Sequence, residues 1–169
     1  MPDSPFAALE HEMLSDKTSS WMMDNGLDPQ IIDGRGKHQD SALILASRRG
    51  ELNIVRELLD AGAEVNLRNM DGTNALWAAC VADSYAIADL LLQRGADIDN
   101  QNDNGATVLM YAASNDRTRW VDYLLGAGAD IRLCYLDDYS ALDLASNIDI
   151  LRLLRKADMR LIADSEVGC

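Results

Sequence analysis

Apolar residues recur along this chain at one fixed spacing. Leucines stand 33 residues apart at Leu43, Leu76, Leu109 and Leu142, and alanines keep the same step at Ala46, Ala79, Ala112 and Ala145. Glycines share the period, each followed by alanine, an acidic residue and a β-branched residue, at Gly62, Gly95 and Gly128. Such self-similarity indicates a repeat architecture, in which each unit buries its apolar face against its neighbours. Function is therefore to be sought on a stacked surface.

The polar and apolar positions within one unit predict a turn followed by two helices. Asp71-Gly72 is a turn signal, and Asn74 is a good helix N-cap. The small and apolar residues 75–80 predict a compact inner helix, and residues 86–92 carry the longer apolar stripe of an outer helix. Because the cap position is filled in every unit, four capped inner helices are expected, beginning at Ser41, Asn74, Thr107 and Ser140.

Residues 36–160 resemble the ankyrin repeat, whose units begin with Thr-Pro-Leu-His and end with Gly-Ala-Asp-Val-Asn. The ending is well kept in Gly62-Ala63-Glu64-Val65-Asn66, whereas a start such as Asn74-Ala75-Leu76-Trp77 lacks the proline and the histidine. The resemblance implies an all-α solenoid of paired antiparallel helices joined by β-hairpin-like loops, with irregular capping units at both ends. It also implies a concave groove, made of hairpin tips and inner helices, that binds partner proteins.

The same period divides the chain into units of one domain. Near the start, residues 22–28 resemble 58–64 with a three-residue insertion, and Phe6, Leu9 and Met13 mark an amphipathic helix before them. These residues predict a degenerate N-terminal cap. The predicted units are an N-terminal extension and cap (1–35), three repeats (36–68, 69–101 and 102–134), a C-terminal capping repeat (135–163) and a frayed tail (164–169).

Composition narrows the kinds of partner. A formal net charge of −13 disfavours nucleic acid and anionic membranes, since an acidic body is repelled by phosphates. No secretory signal and no apolar run long enough to span a bilayer is evident. The 3 cysteines are widely spaced and are expected to be reduced thiols, Cys80 packing on a helix. A cytoplasmic location and a monomer are therefore expected.

Catalytic and cofactor motifs are missing from the sequence. The 2 histidines, His11 and His38, have no metal-binding spacing, and no P-loop, nucleophile elbow or dinucleotide fingerprint occurs. The aspartates of residues 97–103 lack the glycine and distal glutamate of a calcium loop. No cofactor, metal or enzymatic activity is expected. The enzyme alternative would use Asp83 and Asp116 as paired carboxylates on neighbouring inner helices.

The groove implied by the resemblance gives the candidate partner-binding residues. They are the variable positions of the tips and inner helices: Lys37, His38, Arg48, Arg49, Met70, Asp71, Val81, Asp83, Asp103, Asn104, Asn115, Asp116, Tyr135, Leu136, Asp137 and Tyr139. Positive charge is expected at the start of the groove and negative charge toward its end, which would orient a partner. Single surface charges also commonly stay solvated and contribute little.

Apolar residues at predicted tips are the sharper candidates, because exposure there has no core explanation. They are Met70, Tyr135, Leu136 and Tyr139, and aromatic and methionine residues are enriched at interfaces. Trp77 and Tyr111 fit either packing between repeats or exposure in the groove, and Trp120 is expected in the core. The leading hypothesis is a non-catalytic protein-interaction module, acting as an adaptor or inhibitor on one or more partner proteins. Self-assembly through an incomplete cap is a third possibility.

Overall fold

The structure, a computed structural model, describes residues 14–167. In this range, paired helices alternate with short turns. The α-helices are α1 (Asp16–Asp24), α2 (Ala42–Arg49), α3 (Leu52–Asp60), α4 (Ala75–Val81), α5 (Tyr85–Gln93), α6 (Val108–Ser114), α7 (Thr118–Gly126) and α8 (Ile148–Val167). The inner helices α2, α4 and α6 alternate with the outer helices α3, α5 and α7. Strands β1 (Cys134–Tyr135) and β2 (Tyr139–Ser140) pair antiparallel. The predicted all-α repeat solenoid is confirmed.

The inner helices begin at the predicted cap residues. The side-chain oxygens of Ser41, Asn74 and Thr107 accept hydrogen bonds from backbone amides three residues further on, at 3.3, 3.1 and 3.3 Å. Each bond satisfies an amide that has no partner inside its own helix. The Thr107 amide also donates to Met110 Sδ at 3.4 Å, which closes the cap in both directions without a histidine.

The fourth predicted inner helix does not form. Residues 141–144 are turns, and both the amide and the hydroxyl of Ser140 donate to Asp143 Oδ2, at 2.9 and 2.6 Å. The Ser140 hydroxyl accepts no amide of a following helix, unlike the side-chain oxygens of Ser41, Asn74 and Thr107. Asn147 acts as a cap instead, since its Oδ1 accepts the amide of Ile150 at 2.8 Å at the start of α8.

The leucine and alanine series form the centre of the solenoid. Leu43, Leu76 and Leu109 are buried, and so are the alanines three positions after them. Small alanines on inner helices let neighbouring helices approach closely, and each outer helix covers them with branched residues such as Val55, Ile87 and Val121. Trp120 of α7 is also buried, as predicted.

Backbone hydrogen bonds join successive hairpin tips directly. The amides of Met70, Asp103 and Leu136 donate to the carbonyl oxygens of residues 38, 71 and 104, at 3.1, 3.1 and 3.3 Å. These three bonds repeat at the sequence period, so each tip is held against the one before it. The tips therefore form one connected edge rather than separate loops.

Side chains at another periodic position strengthen the same edge. Arg35, Arg68 and Gln101 each donate to the backbone carbonyl oxygen of the residue 33 positions further on, at 2.6, 2.9 and 2.9 Å. The acceptors belong to Arg68, Gln101 and Cys134, so the chain of contacts runs through all three repeats. Arg35 thus joins the capping unit to the first repeat.

Helices α1 and α8 lie at the two ends of the repeat stack. At the N-terminal end, the Ser15 hydroxyl donates to Glu57 Oε2 at 2.7 Å and joins α1 to α3. The amphipathic helix predicted around Phe6, Leu9 and Met13 lies outside the described residues. At the other end α8 continues to Val167, so the predicted tail from residue 164 is helical over its first four residues. The residues of α8 include no glycine or proline, the two residue types least favourable within a helix.

Candidate functional site

Exposed apolar side chains mark the hairpin tips. Met70, Leu136 and Tyr139 expose 55%, 56% and 49% of their surface, and we call these three residues the tip surface. Val81, at the end of α4, is also exposed. Tyr135 is only half-buried rather than fully exposed, because it belongs to β1 and packs against the core. The side chain of Asp137, in the turn between the strands, lies outside the described residues.

An aromatic pair joins two neighbouring inner helices beside the tips. The rings of Trp77 in α4 and Tyr111 in α6 are 5.7 Å apart at a tilt of 41°. Both residues are half-buried, so packing between repeats and exposure on the surface occur together. The Arg117 guanidinium lies 5.6 Å from the Tyr111 ring and donates to the Cys80 carbonyl at the end of α4, at 2.9 Å. The pair is thereby held in place.

Three predicted cations of the first repeat come together with His38 around a small cavity. It has a volume of about 200 Å³, and four candidate residues line it, namely Lys37, His38, Arg48 and Arg49. The charge of Arg48 is paired, because its guanidinium donates two hydrogen bonds, of 2.5 and 3.1 Å, to the buried carboxylate of Asp40. Lys37 and His38 are exposed in the adjoining 3₁₀ turn. The positive start of the groove therefore depends on Lys37 and Arg49 more than on Arg48.

The predicted acidic residues of the inner-helix ends mostly have structural partners. Asp83 Oδ1 accepts the Trp120 Nε1 proton at 2.6 Å, and Asp116 accepts a hydrogen bond from Asn147. Both aspartates have positive φ, at the position that glycine fills in the first repeat as Gly50. Each carboxylate thus links its repeat to the next, and the two do not form a shared acid–base pair through these contacts.

The remaining candidates lie at the tips and at one helix end. Asp71 and Asn104 are exposed, while Asp103 Oδ1 accepts from Arg68 Nη2 at 3.1 Å. Asn115 caps the end of α6, where its side-chain amide donates to the Tyr111 carbonyl at 2.9 Å. The side chains of Asp71 and Asn104 are thus exposed at the tips, as are those of the tip surface.

Comparisons with known proteins agree with this geometry. The family model described as "Ankyrin repeats (3 copies)" matches residues 7–102, and "Ankyrin repeats (many copies)" matches residues 91–145. The chain belongs to the ankyrin repeat family. Ankyrin repeats are in general protein–protein interaction modules, typically without catalytic activity.

The potassium channel AKT2/3 of Arabidopsis thaliana is 34% identical over 85 residues, which cover 50% of this chain and 9% of the channel. The likeness therefore concerns a small part of that protein.

The ankyrin scaffold gathers few groups suited to chemistry. Among the side chains that the structure describes, those of residues 14–136 and 138–160, no group of three or more His, Cys, Asp or Glu is placed to hold a metal ion. No helix between residues 14 and 167 is both long and apolar enough to cross a membrane. Burial raises the pKa of the Cys80 thiol to about 12, which makes its nucleophilic thiolate scarce at neutral pH.

Alkylation with iodoacetamide at neutral pH is expected to label Cys134 and to spare Cys80 in the folded protein. Cys134 is exposed, whereas Cys80 is buried in α4 and protonated. Peptide mass spectrometry after a timed quench measures both rates, and protein unfolded in urea is the control. Labelling of Cys80 in the folded chain as fast as in urea would contradict its burial.

The raised pKa of Cys80 also predicts how the free energy of unfolding changes at alkaline pH. Because the pKa of the Cys80 thiol is higher in the folded than in the unfolded chain, its contribution to the free energy of unfolding is complete below the pKa of the unfolded thiol. It is lost as the pH rises from there through about 12.

Sequence reasoning missed a polar cluster behind the first tip of this ankyrin domain. Asp40 Oδ1 accepts the Asn69 side-chain amide at 3.1 Å in addition to its bonds with Arg48, and Asn69 Oδ1 accepts the amide of Thr73 at 3.0 Å. The cluster fixes the first two tips relative to each other. The period that places Arg35, Arg68 and Gln101 in one ladder was visible in the sequence, whereas no spacing pattern signals the Asp40–Arg48–Asn69 contacts.

Proposed function

We propose that this ankyrin domain is a non-catalytic adaptor or inhibitor that binds a partner protein through the tip surface and the adjoining inner helices. The observation that carries the proposal is the exposure of Met70, Leu136 and Tyr139 at the tips, where no core requires them. Methionine and tyrosine are enriched in interfaces, and a few such anchors supply most of the binding energy.

Rigidity of the tips supports this assignment. The ladder of backbone bonds between successive tips fixes the spacing of the anchors before a partner arrives. A preformed surface loses less conformational entropy on association than a set of mobile loops does. The half-buried Trp77 and Tyr111 rings extend the same surface along the inner helices.

Charge would orient the partner along the groove. Lys37 and Arg49 stand at the first repeat, whereas Asp71 and Asp138 are exposed further along. Complementary charge sets association rate and orientation more than affinity. With a net charge of −13, we take the partner to be protein rather than nucleic acid or membrane, and the chain to act as a monomer in the cytoplasm.

The Leu136→Ala, Tyr139→Ala double variant tests the proposal. Partners are captured from lysate of the source cells with the original chain, identified by mass spectrometry and titrated as purified proteins. We expect the double variant to weaken binding about 30-fold, equivalent to about 2 kcal/mol, because two interface anchors are truncated. Circular dichroism and melting should stay unchanged, since both side chains are exposed.

A matched control separates the site from general surface hydrophobicity. Ile148→Ala with Met159→Ala removes side chains that are 56% and 63% exposed on α8, away from the tips. This variant should bind as the original chain does. A partner held equally well by the tip double variant would overturn the proposed surface. If the partner is an enzyme, its activity at saturating concentrations separates an inhibitor from an adaptor.

A further inference from the structure

A second groove lies between the outer helices at the C-terminal end of the stack. Two adjoining cavities of about 310 and 440 Å³ share Asp122 of α7 with Leu153 and Lys156 of α8. The lining residues of α8 recur three or four positions apart, so they form one face of that helix. This groove involves none of the tip residues.

The groove combines an apolar floor with a basic rim. Leu125, Ile131 and Ala157 line the first cavity, and Leu153 is common to both. Arg152, Lys156 and Arg160 follow one another at intervals of four residues along α8, on the side that lines the groove.

Two carboxylates are also present in this groove, and they do not outweigh the cations. Asp149 pairs with Arg152 at 3.3 Å, and Asp122 lies on the opposite helix beside Arg119. Four cationic side chains thus face two carboxylates, in a chain whose net charge is −13. A local excess of positive charge on an acidic protein favours an acidic ligand at this place.

Gly126 keeps the groove open. It is the last residue of α7, and the last residues of α3 and α5 at the same periodic position are Asp60 and Gln93. A Cβ added at Gly126 would meet no atom within 4 Å, and its φ is not in the left-handed region. Neither packing nor backbone conformation therefore requires glycine there, although glycine is unfavourable within a helix. The missing side chain leaves room for a ligand.

We propose that this groove binds an acidic amphipathic segment of a partner protein. Apolar side chains of the segment enter the cavities over Leu125 and Leu153, and its carboxylates pair with Arg152, Lys156 and Arg160. An apolar floor suits such a segment better than a polynucleotide, whose phosphates the acidic body repels. The groove is a second interaction surface, distinct from the tip surface.

Selection from a phage library of random dodecapeptides on the full chain tests this assignment, with fluorescence anisotropy of the enriched peptides as the quantitative readout. We expect enriched peptides to carry Asp or Glu between apolar residues, and to bind more weakly as salt is raised. The Lys156→Glu, Arg160→Glu variant should weaken binding at least about tenfold through charge reversal. The control Arg56→Glu, Arg155→Glu makes the same change in charge outside the groove and should bind normally.

A second pair of variants tests the role of space at Gly126. Gly126→Gln, which restores the residue of the second repeat, should fold at least as well as the original chain and lose peptide binding. Gly126→Ala adds only a methyl group and should retain it. Both results are read beside melting curves, so that loss of binding is separated from loss of fold.

Several outcomes would overturn the acidic-segment assignment. They are the absence of enrichment, enriched peptides without acidic residues, equal binding by the charge-reversed variant, a concentration-dependent dimer that the same variant abolishes, and preferential binding of phosphatidylserine vesicles. The Leu136→Ala, Tyr139→Ala variant should bind the acidic peptides normally. Failure of this groove is thereby distinguished from failure of the tip surface.

Discussion

Replacing Trp120 with alanine is expected to lower the free energy of unfolding by about 3–5 kcal/mol. The Trp120 side chain is buried and lies face to face with the ring of Tyr85 at 4.3 Å. It also meets Tyr123 edge-on at 5.4 Å. Truncation removes a large buried surface and leaves a cavity between α5 and α7, while the edge-on contact of Tyr85 with Tyr123 remains. Urea unfolding followed by circular dichroism measures the change.

Trp120→Phe separates the hydrogen bond of this residue from its packing. Phenylalanine keeps an aromatic ring between Tyr85 and Tyr123 but cannot donate to Asp83, as Trp120 Nε1 does at 2.6 Å. Its loss of stability should therefore be clearly smaller than that of Trp120→Ala. Asp83→Ala made in both backgrounds completes a double-mutant cycle for the bond. A loss below about 1 kcal/mol for Trp120→Ala would show that the aromatic cluster does not hold the outer helices together.

Local signals in the sequence were sufficient for the first three inner helices. A cap residue at Ser41, Asn74 or Thr107, followed by a buried leucine, determines where each helix starts, because both requirements are satisfied within a few residues. The fourth unit has a cap residue and a leucine at the same positions, yet residues 141–144 form turns and no inner helix follows Ser140. The sequence pattern therefore does not determine by itself whether the helix of this terminal unit forms.

Exposure at the tips was predictable for Met70, Leu136 and Tyr139, since residues in tight turns have few neighbours. The partners of charged residues were not predictable in the same way. Arg48, in the last turn of α2, meets Asp40, which precedes that helix, and Asp83 meets Trp120 in the next repeat. The first contact depends on the fold within one repeat and the second on how repeats stack, and the periodicity specifies neither of them.

The groove between α7 and α8 was only partly predictable from the sequence. The sequence places Arg152, Lys156 and Arg160 at intervals of four residues within the predicted C-terminal capping repeat. In the structure Arg152, Lys156 and Arg160 line one groove. Gly126, at the periodic position of Asp60 and Gln93, lines the same groove. The four-residue spacing was the available signal, but the helix that faces it could not be inferred from α8 alone.

Leucines at one periodic position are expected to differ sharply in what they contribute to stability. Leu109→Ala should cost about 2–5 kcal/mol, the usual loss for a fully buried leucine, because Leu109 is only 1% exposed. Leu142→Ala should cost about 1 kcal/mol or less, since Leu142 is half-buried in the turns that replace the fourth inner helix. Urea unfolding of both variants under the same conditions tests the difference.

The matched pair also tests how stability is distributed along the stack. Leu109 belongs to a repeat with neighbours on both sides, so its loss weakens two interfaces and should lower the stability of the whole solenoid. Loss of Leu142 should act mainly on the terminal unit and increase hydrogen exchange in α8 while sparing α4. Equal losses for the two variants would mean that the fourth unit is packed as tightly as the others. Such a result would conflict with the structure, in which residues 141–144 form turns instead of an inner helix.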